Sequence, residues 1–152
     1  NKRTTEQRCR TLLENTPGEK PFALLLLDVD NFKQTNDRYG HPKGDVVLRC
    51  LGENLSGLFR RDDVVGRVGG DEFLMMMPGA GGEQAVGRAQ KIAQEMCRSV
   101  SVQCGVDVSG SIGVVLSKPG ACAYEELLRR ADSALYAAKA AGKGCYRVYG
   151  GA

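Results

Sequence analysis

Several shortages in this chain of 152 residues each close off a class of protein. There is one histidine, and the six cysteines (Cys9, Cys50, Cys97, Cys104, Cys122 and Cys145) form no Cys-x-x-Cys pair, which leaves a zinc site short of ligands. The thiols read as reduced and mostly buried in a cytosolic protein, with a disulfide framework as the alternative. No apolar stretch is long enough to span a bilayer, and no signal-peptide pattern stands at the start. Repeats, low-complexity segments and blocks of like charge are absent. A net charge of +3 suits an anionic small ligand, whereas a protein that coats nucleic acid is normally more basic and more patchy. The length suits one domain, residues 1–152, with a real core.

The most informative stretch present is Arg67-Val68-Gly69-Gly70-Asp71-Glu72-Phe73. It lies between the apolar runs Val64–Val68 and Phe73–Met77, which is the pattern of a β-hairpin. Gly69-Gly70 is expected to supply the positive φ angles of a tight turn and to let backbone or a ligand come close. Successive strand residues point to opposite faces, so at most one of Asp71 and Glu72 reaches a given metal directly. On these residues alone, an acidic turn kept soluble by its charges accounts for the pattern equally well.

A second stretch, Phe22–Leu27, is a continuous apolar run suited to a strand buried on both faces, and it ends in Asp28-Val29-Asp30-Asn31-Phe32-Lys33. If this strand lies beside the hairpin, Asp28 meets a hairpin carboxylate, and two close carboxylates without a cation repel each other. Magnesium resolves the conflict, held by one or two carboxylates and completed by substrate phosphates. Asp30 reads as an N-cap or turn carboxylate. The backbone N–H groups where the next helix begins attract phosphate.

Elsewhere the pattern predicts a helix over Thr4–Asn15, ended by Pro17-Gly18, and two helical pieces over Phe32–Leu58 broken near Gly40-His41-Pro42. Met75-Met76-Met77 reads as adaptable core filler. A helix is expected over Gln84–Val100, two strands over Val102–Val108 and Ser111–Leu116, the longest helix over Tyr124–Ala141 with Gly142 as its stop, and a closing strand over Cys145–Tyr149. Strands with crossing helices and an internal hairpin indicate an α+β class.

Four ordered blocks carry a family resemblance: Asp28 to Asp45, Gly69 to Phe73, Ser111 to Val114, and Leu135 to Lys143. Together they resemble the GGDEF family of diguanylate cyclases along nearly the whole chain. The resemblance implies a ferredoxin-like palm of the kind found in class III nucleotidyl cyclases, with a central, largely antiparallel sheet flanked by helices. Asn1-Lys2-Arg3 is similar to the end of the segment that opens the family's domain, which implies a catalytic module excised from a longer protein with a sensory or membrane portion upstream.

The resemblance also assigns roles. Asp28 and Asp71, with the backbone carbonyl of Val29, match the ligands of magnesium or, in its place, manganese; Asp71 also matches the acceptor of the ribose 3′-hydroxyl proton, and Glu72 a second acidic position. Lys33 matches the lysine that stabilises charge on the phosphates, and Lys139 and Lys143 the basic pair on the triphosphate, with Lys143-Gly144 standing where the family more often has arginine then asparagine. Phe32, Asn36, His41 and Asp45 match GTP-binding positions, Asn36 and Asp45 being the readers of guanine. Arg60 and Asp63, the latter separated from Gly69 by five residues, match an inhibitory site for cyclic di-GMP.

The function so implied is a cytoplasmic diguanylate cyclase, tethered or not to an inner-membrane protein, that condenses two GTP across a homodimer. A receptor that binds GTP or cyclic di-GMP without turnover is the alternative. An RNA-binding ferredoxin-like domain ranks below both, because such domains stack bases on strand aromatics and the strands here are Leu, Met and Val.

Overall fold

The computed structural model describes residues 1–16 and 18–151, so the part of the expected Pro17-Gly18 turn that falls on Pro17 lies outside the described residues. In chain order the elements are α1 (Lys2–Asn15), β1 (Phe22–Val29), α2 (Phe32–Tyr39), α3 (His41–Leu58), β2 (Val64–Arg67), β3 (Glu72–Pro78), α4 (Gly82–Lys91), a π-helical turn (Ile92–Met96), α5 (Cys97–Cys104), β4 (Gly110–Ser117), α6 (Tyr124–Ala140) and β5 (Tyr146–Val148). No described helix is long and apolar enough to cross a membrane.

The strands form one sheet in the order β2-β3-β1-β4-β5, antiparallel except for the β4–β5 pair. Central β1 is buried along its whole length. Its alternate residues feed two cores. Leu25 and Leu27 pack with Met75, Met77, Val47, Leu51 and Ile92 under α3, α4 and α5, while Leu24 and Leu26 pack with Leu74, Met76, Leu127 and Leu135 under α1 and α6. Each buried leucine contributes about 2 kcal/mol, and the three methionines divide between the two faces as filler.

The segment read as a strand over Val102–Val108 is a correction. Its apolar residues alternate, but Cys97, Val100 and Cys104 lie on one helical face and α5 carries through to Cys104, leaving Val102 79 % exposed. Gly105 ends the helix with φ +70°, and Val106 and Val108 are then buried from an unpaired extended segment. The π-turn joins α4 to α5, so the helical run continues past the expected end at Val100. The expected longest helix is also exceeded: α6 has 17 residues and α3 has 18. All six cysteines are free, three of them buried.

One close approach places α6 on the sheet. A Cβ added at Gly113 of β4 would overlap the carbonyl oxygen of Ala131 and lie 2.6 Å from the backbone nitrogen of Leu135. Backbone cannot swing aside as a side-chain tip can. Gly113→Ala is therefore expected to lower stability by about 2–3 kcal/mol, the upper part of the range for overpacking, read as a reduced urea midpoint at unchanged slope.

Candidate functional site

The end of β1 and the β2–β3 hairpin bring the first two carboxylates together. Asp28 stands opposite Glu72 in the antiparallel register, and the N–H of Val29 donates to the carbonyl of Asp71 at 3.1 Å, just beyond the paired residues. The hairpin closes differently from expectation. Neither Gly69 nor Gly70 has a positive φ, because Val68 to Asp71 form a longer loop than a two-residue turn. Arg67 closes it by donating from Nε to the carbonyl of Gly69 at 3.2 Å and from Nη2 to that of Gly70 at 2.7 Å. A Cβ on Gly69 would lie 2.8 Å from Glu72 Oε1, the end of a flexible side chain that can shift aside.

Asp28 is 8 % exposed and pairs with the Lys139 ammonium, which α6 delivers from above the sheet. Burial pushes its carboxyl up to about 6, Lys139 opposing and the adjacent Asp71 carboxylate reinforcing the rise. Lys139 is held above its ordinary value despite burial, through Asp28 and then Asp71 and Glu72. Glu72 is raised by burial and by Asp132 and Asp71. One ammonium thus answers several carboxylates.

A cation fits that imbalance. Asp28 Oδ1 is buried with no hydrogen-bond partner, although Oδ2 is paired. Among the described residues no group of three or more His, Cys, Asp or Glu side chains could hold a metal, so an ion here would take Asp28, Asp71 and the Val29 carbonyl and complete its shell from ligand oxygens or water. That donor set of hard oxygens is the kind magnesium accepts.

The surrounding cleft, about 320 Å³, is lined by Asp28, Val29, Phe32, Lys33, Asp71, Lys139 and Lys143, together with Asp30, Asn31 and Gln34. Seven predicted positions therefore converge. Glu72 does not line the cleft, although the register sets it opposite Asp28 on the same face of the sheet. Because α6 ends at Ala140, Lys143 is not on the same helix as Lys139; the loop after α6 carries it back, and its Nζ donates to Asn31 Oδ1 at 2.7 Å. Asn31 holds φ 54° at the start of α2 and makes no side-chain cap. Asp30 is not an N-cap either: it is buried and accepts hydrogen bonds from Ser109 and Ser111.

Asn36, His41 and Asp45 lie outside this cleft, at the angle between α2 and α3. Asn36 Oδ1 is buried without a partner, and Gly44 leaves room for it: a Cβ on Gly44 would overlap Oδ1 and come within 3.0 Å of Phe32 Cζ. An orphaned amide oxygen can accept from a nucleobase N–H. His41 opens α3 and Asp45 follows Gly44, both exposed.

Arg60 and Asp63 share a separate cleft of about 430 Å³ with Arg88 and Lys91. It lies at the Pro78 end of β3, whereas Asp28 pairs at the Glu72 end; seven strand residues separate the two, roughly 20 Å. Asp63 Oδ2 accepts the Arg60 N–H at 2.8 Å, so this carboxylate also closes its own turn. Sequence reasoning missed Arg88 and Asn31. Arg88 could have been found by its helical spacing from the residues of α4 that face the sheet, and Asn31 by its residue type, since asparagine is among the few non-glycine residues that readily take a left-handed backbone.

A family model described as "Diguanylate cyclase, GGDEF domain" matches residues 1–145. The chain is 37 % identical over 142 residues to the diguanylate cyclase TpbB of Pseudomonas aeruginosa, covering 91 % of this chain and 33 % of that protein. It spans about a third of the length of the curated relatives it matches. Among solved structures it is similar to the GGDEF domain of DgcB from Caulobacter crescentus in complex with c-di-GMP, with TM-score 0.81, 26 % identity, and coverage of 98 % of this chain and 88 % of that one. The active GGEEF domain of a diguanylate cyclase from Vibrio cholerae matches with TM-score 0.81, 28 % identity, and coverage of 97 % and 93 %. The fold is the palm of the nucleotidyl cyclases.

The raised carboxyl of Asp28 sets a pH window. Its proton is held more tightly folded than unfolded, so its contribution to stability is complete below pH 4 and is lost as pH rises through about 6. In chelator, Asp28→Asn is therefore expected to raise the melting temperature at pH 7.5, by an amount that shrinks through pH 6 and vanishes near pH 4; thermal unfolding across that range checks it.

Proposed function

The chain belongs to the GGDEF family of diguanylate cyclases, and from that footing we propose that it condenses two GTP into cyclic di-GMP and two pyrophosphates. The observation that carries the reading is the convergence of Asp28 and Asp71 beneath three lysines, with one carboxylate oxygen left unpaired. Cyclases of this family generally depend on a divalent metal. Magnesium, with manganese as substitute, would be held by Asp28, Asp71 and the Val29 carbonyl, and when bound it supplies charge neutralisation at the phosphates and a lowered hydroxyl pKa.

The chain's own residues do the rest. Phe32 and Lys33 begin α2 and line the cleft, so the triphosphate is received by a helix N-terminus and the Lys33 ammonium. Lys139 and Lys143 take the outer phosphates from the α6 side. Asn36 and Asp45 read the guanine edge, with His41 beside them. Asp71 accepts the proton of a 3′-hydroxyl as that oxygen bonds to the α-phosphorus of the other nucleotide and the bond to the pyrophosphate oxygen breaks. Glu72 supports the charge from outside the cleft. Each copy holds one nucleotide, so two copies face each other and the bond-forming step is repeated once to close the ring.

Arg60 and Asp63, with Arg88 and Lys91 in the same cleft, form the proposed product-inhibition site, far enough from Asp28 to act without blocking it. A GTP-using reaction places the domain in the cytoplasm. The intact Asp28, Lys33, Asp71 and Glu72 favour turnover over a receptor that only binds.

Turnover of GTP with magnesium, followed as pyrophosphate and cyclic di-GMP at several protein concentrations, tests the reading. The specific rate is expected to rise with protein concentration, and Asp71→Ala to lower it by roughly 10²–10⁴-fold, the range for loss of a general base. Full turnover by that variant would remove the assignment. Arg60→Ala is expected to keep the initial rate and abolish the slowing caused by added cyclic di-GMP; a slowing that persists unchanged excludes Arg60 from the inhibitory site.

A further inference from the structure

One carboxylate in the cleft has no place in the chemistry above. Asp30 is 7 % exposed, and its oxygens are committed to three donors: Oδ1 accepts from Ser111 Oγ at 2.6 Å, and Oδ2 from Ser109 Oγ at 2.8 Å and from the Gly144 N–H at 2.9 Å. Its own N–H donates to the carbonyl of Ser109 at 2.8 Å. The residue therefore joins the β1–α2 turn to the start of β4 and to the loop after α6. Charge-assisted hydrogen bonds of this kind are about twice as strong as neutral ones, and burial strengthens them further.

The loop so held is an unusual one. Gly142, Lys143 and Gly144 have φ values of +118°, +67° and +61° in succession. Two are glycines, to which this costs little, but Lys143 carries a side chain in the left-handed region. A residue kept in such a conformation persists only when its surroundings over-determine it. Here they do: the Lys143 N–H donates to the carbonyl of Ala138 at 3.2 Å, Gly144 is tied to Asp30, and Lys143 Nζ donates to Asn31 Oδ1 at 2.7 Å. Asn31 is itself left-handed and follows Asp30 in the chain. The contacts make a closed ring, Asp30 to Gly144 to Lys143 to Asn31 and back through one peptide bond. Glycine at position 143 would relieve the strain; only lysine brings an ammonium to the cleft wall.

We propose that Asp30 is a positioning residue for the outer phosphates of the nucleotide, fixing the Gly142–Gly144 loop so that the Lys143 ammonium stands over the cleft, without itself touching nucleotide or metal. The inference rests on the reading of the cleft as a GTP site. It makes two elements that are distant in sequence, the β1–α2 turn and the loop after α6, a single phosphate-binding unit.

The test uses the whole chain, magnesium, and a GTP analogue with a methylene bridge between the α and β phosphorus atoms, whose affinity is measured for the parent, Asp30→Ala, Lys143→Ala and the double variant. Asp30→Ala and Lys143→Ala are each expected to weaken binding about tenfold, and the double variant no more than Lys143→Ala alone. In turnover, KM for GTP rises about tenfold in both while kcat stays within about threefold. Asp30→Asn recovers most of the loss, since its amide oxygen still accepts from the Gly144 N–H. Lys143→Gly raises the melting temperature while lowering affinity, and it keeps the proposal testable if Asp30→Ala does not fold. Additive losses in the double variant, an Asp30→Ala of parental affinity, or a Lys143→Gly that binds as tightly as the parent each overturn the proposal. A parent chain that fails to bind the analogue overturns the nucleotide reading and the inference together, whereas binding by the parent with any of the other failures overturns the inference alone.

Discussion

Everything at the cleft depends on two carboxylates forced together at the end of a buried strand. Asp28 cannot move away from Asp71, because β1 is clasped by β3 and β4 and its leucines are committed to both cores. The resulting repulsion is met in part by Lys139, which reaches Asp28 only because Gly113 lets α6 settle against β4. What remains unmet is an acceptor oxygen and an excess of negative charge, the two features that the proposed cation would answer. Instability is concentrated where chemistry is done, and the leucines of β1 and the methionines of β3 supply the stability that tolerates it.

Much of this is legible in the sequence, for physical reasons that differ from place to place. Phe22–Leu27 is apolar at every position, which only a strand covered on both faces can satisfy, so the place of Asp28 at the end of a central strand followed at once. The hairpin pattern brought one of its two carboxylates beside it, and the family resemblance singled out Asp71. Val102–Val108 misled because alternation is a local signal, and the burial of Cys97, Val100 and Cys104 along one helical face outweighed it. The glycines of the hairpin misled in another way: neither takes a positive φ, because the loop from Val68 to Asp71 does not demand one as a two-residue turn would. Asp30 was read from the commonest role of its residue type in such a turn, whereas its actual partners come from Ser109, Ser111 and Gly144, about eighty and more than a hundred positions away.

The two clefts lie at opposite ends of β3. One end of the strand presents Glu72 beside the carboxylates, and the other ends at Pro78 beside Arg60, Arg88 and Lys91. Between them β3 is paired with β1 along its whole length, which makes it the most direct physical link from one cleft to the other. The ring through Asp30 has a different character. It is local and made of hydrogen bonds, and it ties together segments that the sheet alone would leave independent.

The π-turn between α4 and α5 bears on how the chain tolerates changes in its length. A π-turn closes with one residue more than an α-turn, so Ile92–Met96 carries a residue that a regular helix would not need. Losing that residue would let the segment relax to ordinary helical geometry while the flanking turns kept their phase, and Ala85, Ala89, Val100 and Cys104 would still face inward. A one-residue loss from β1 has no such refuge, because it would turn every leucine to the opposite core and carry Asp28 out of register with the hairpin. The same fold thus contains a segment that can lose a residue quietly and another that cannot, and the second is the one that ends at the carboxylates.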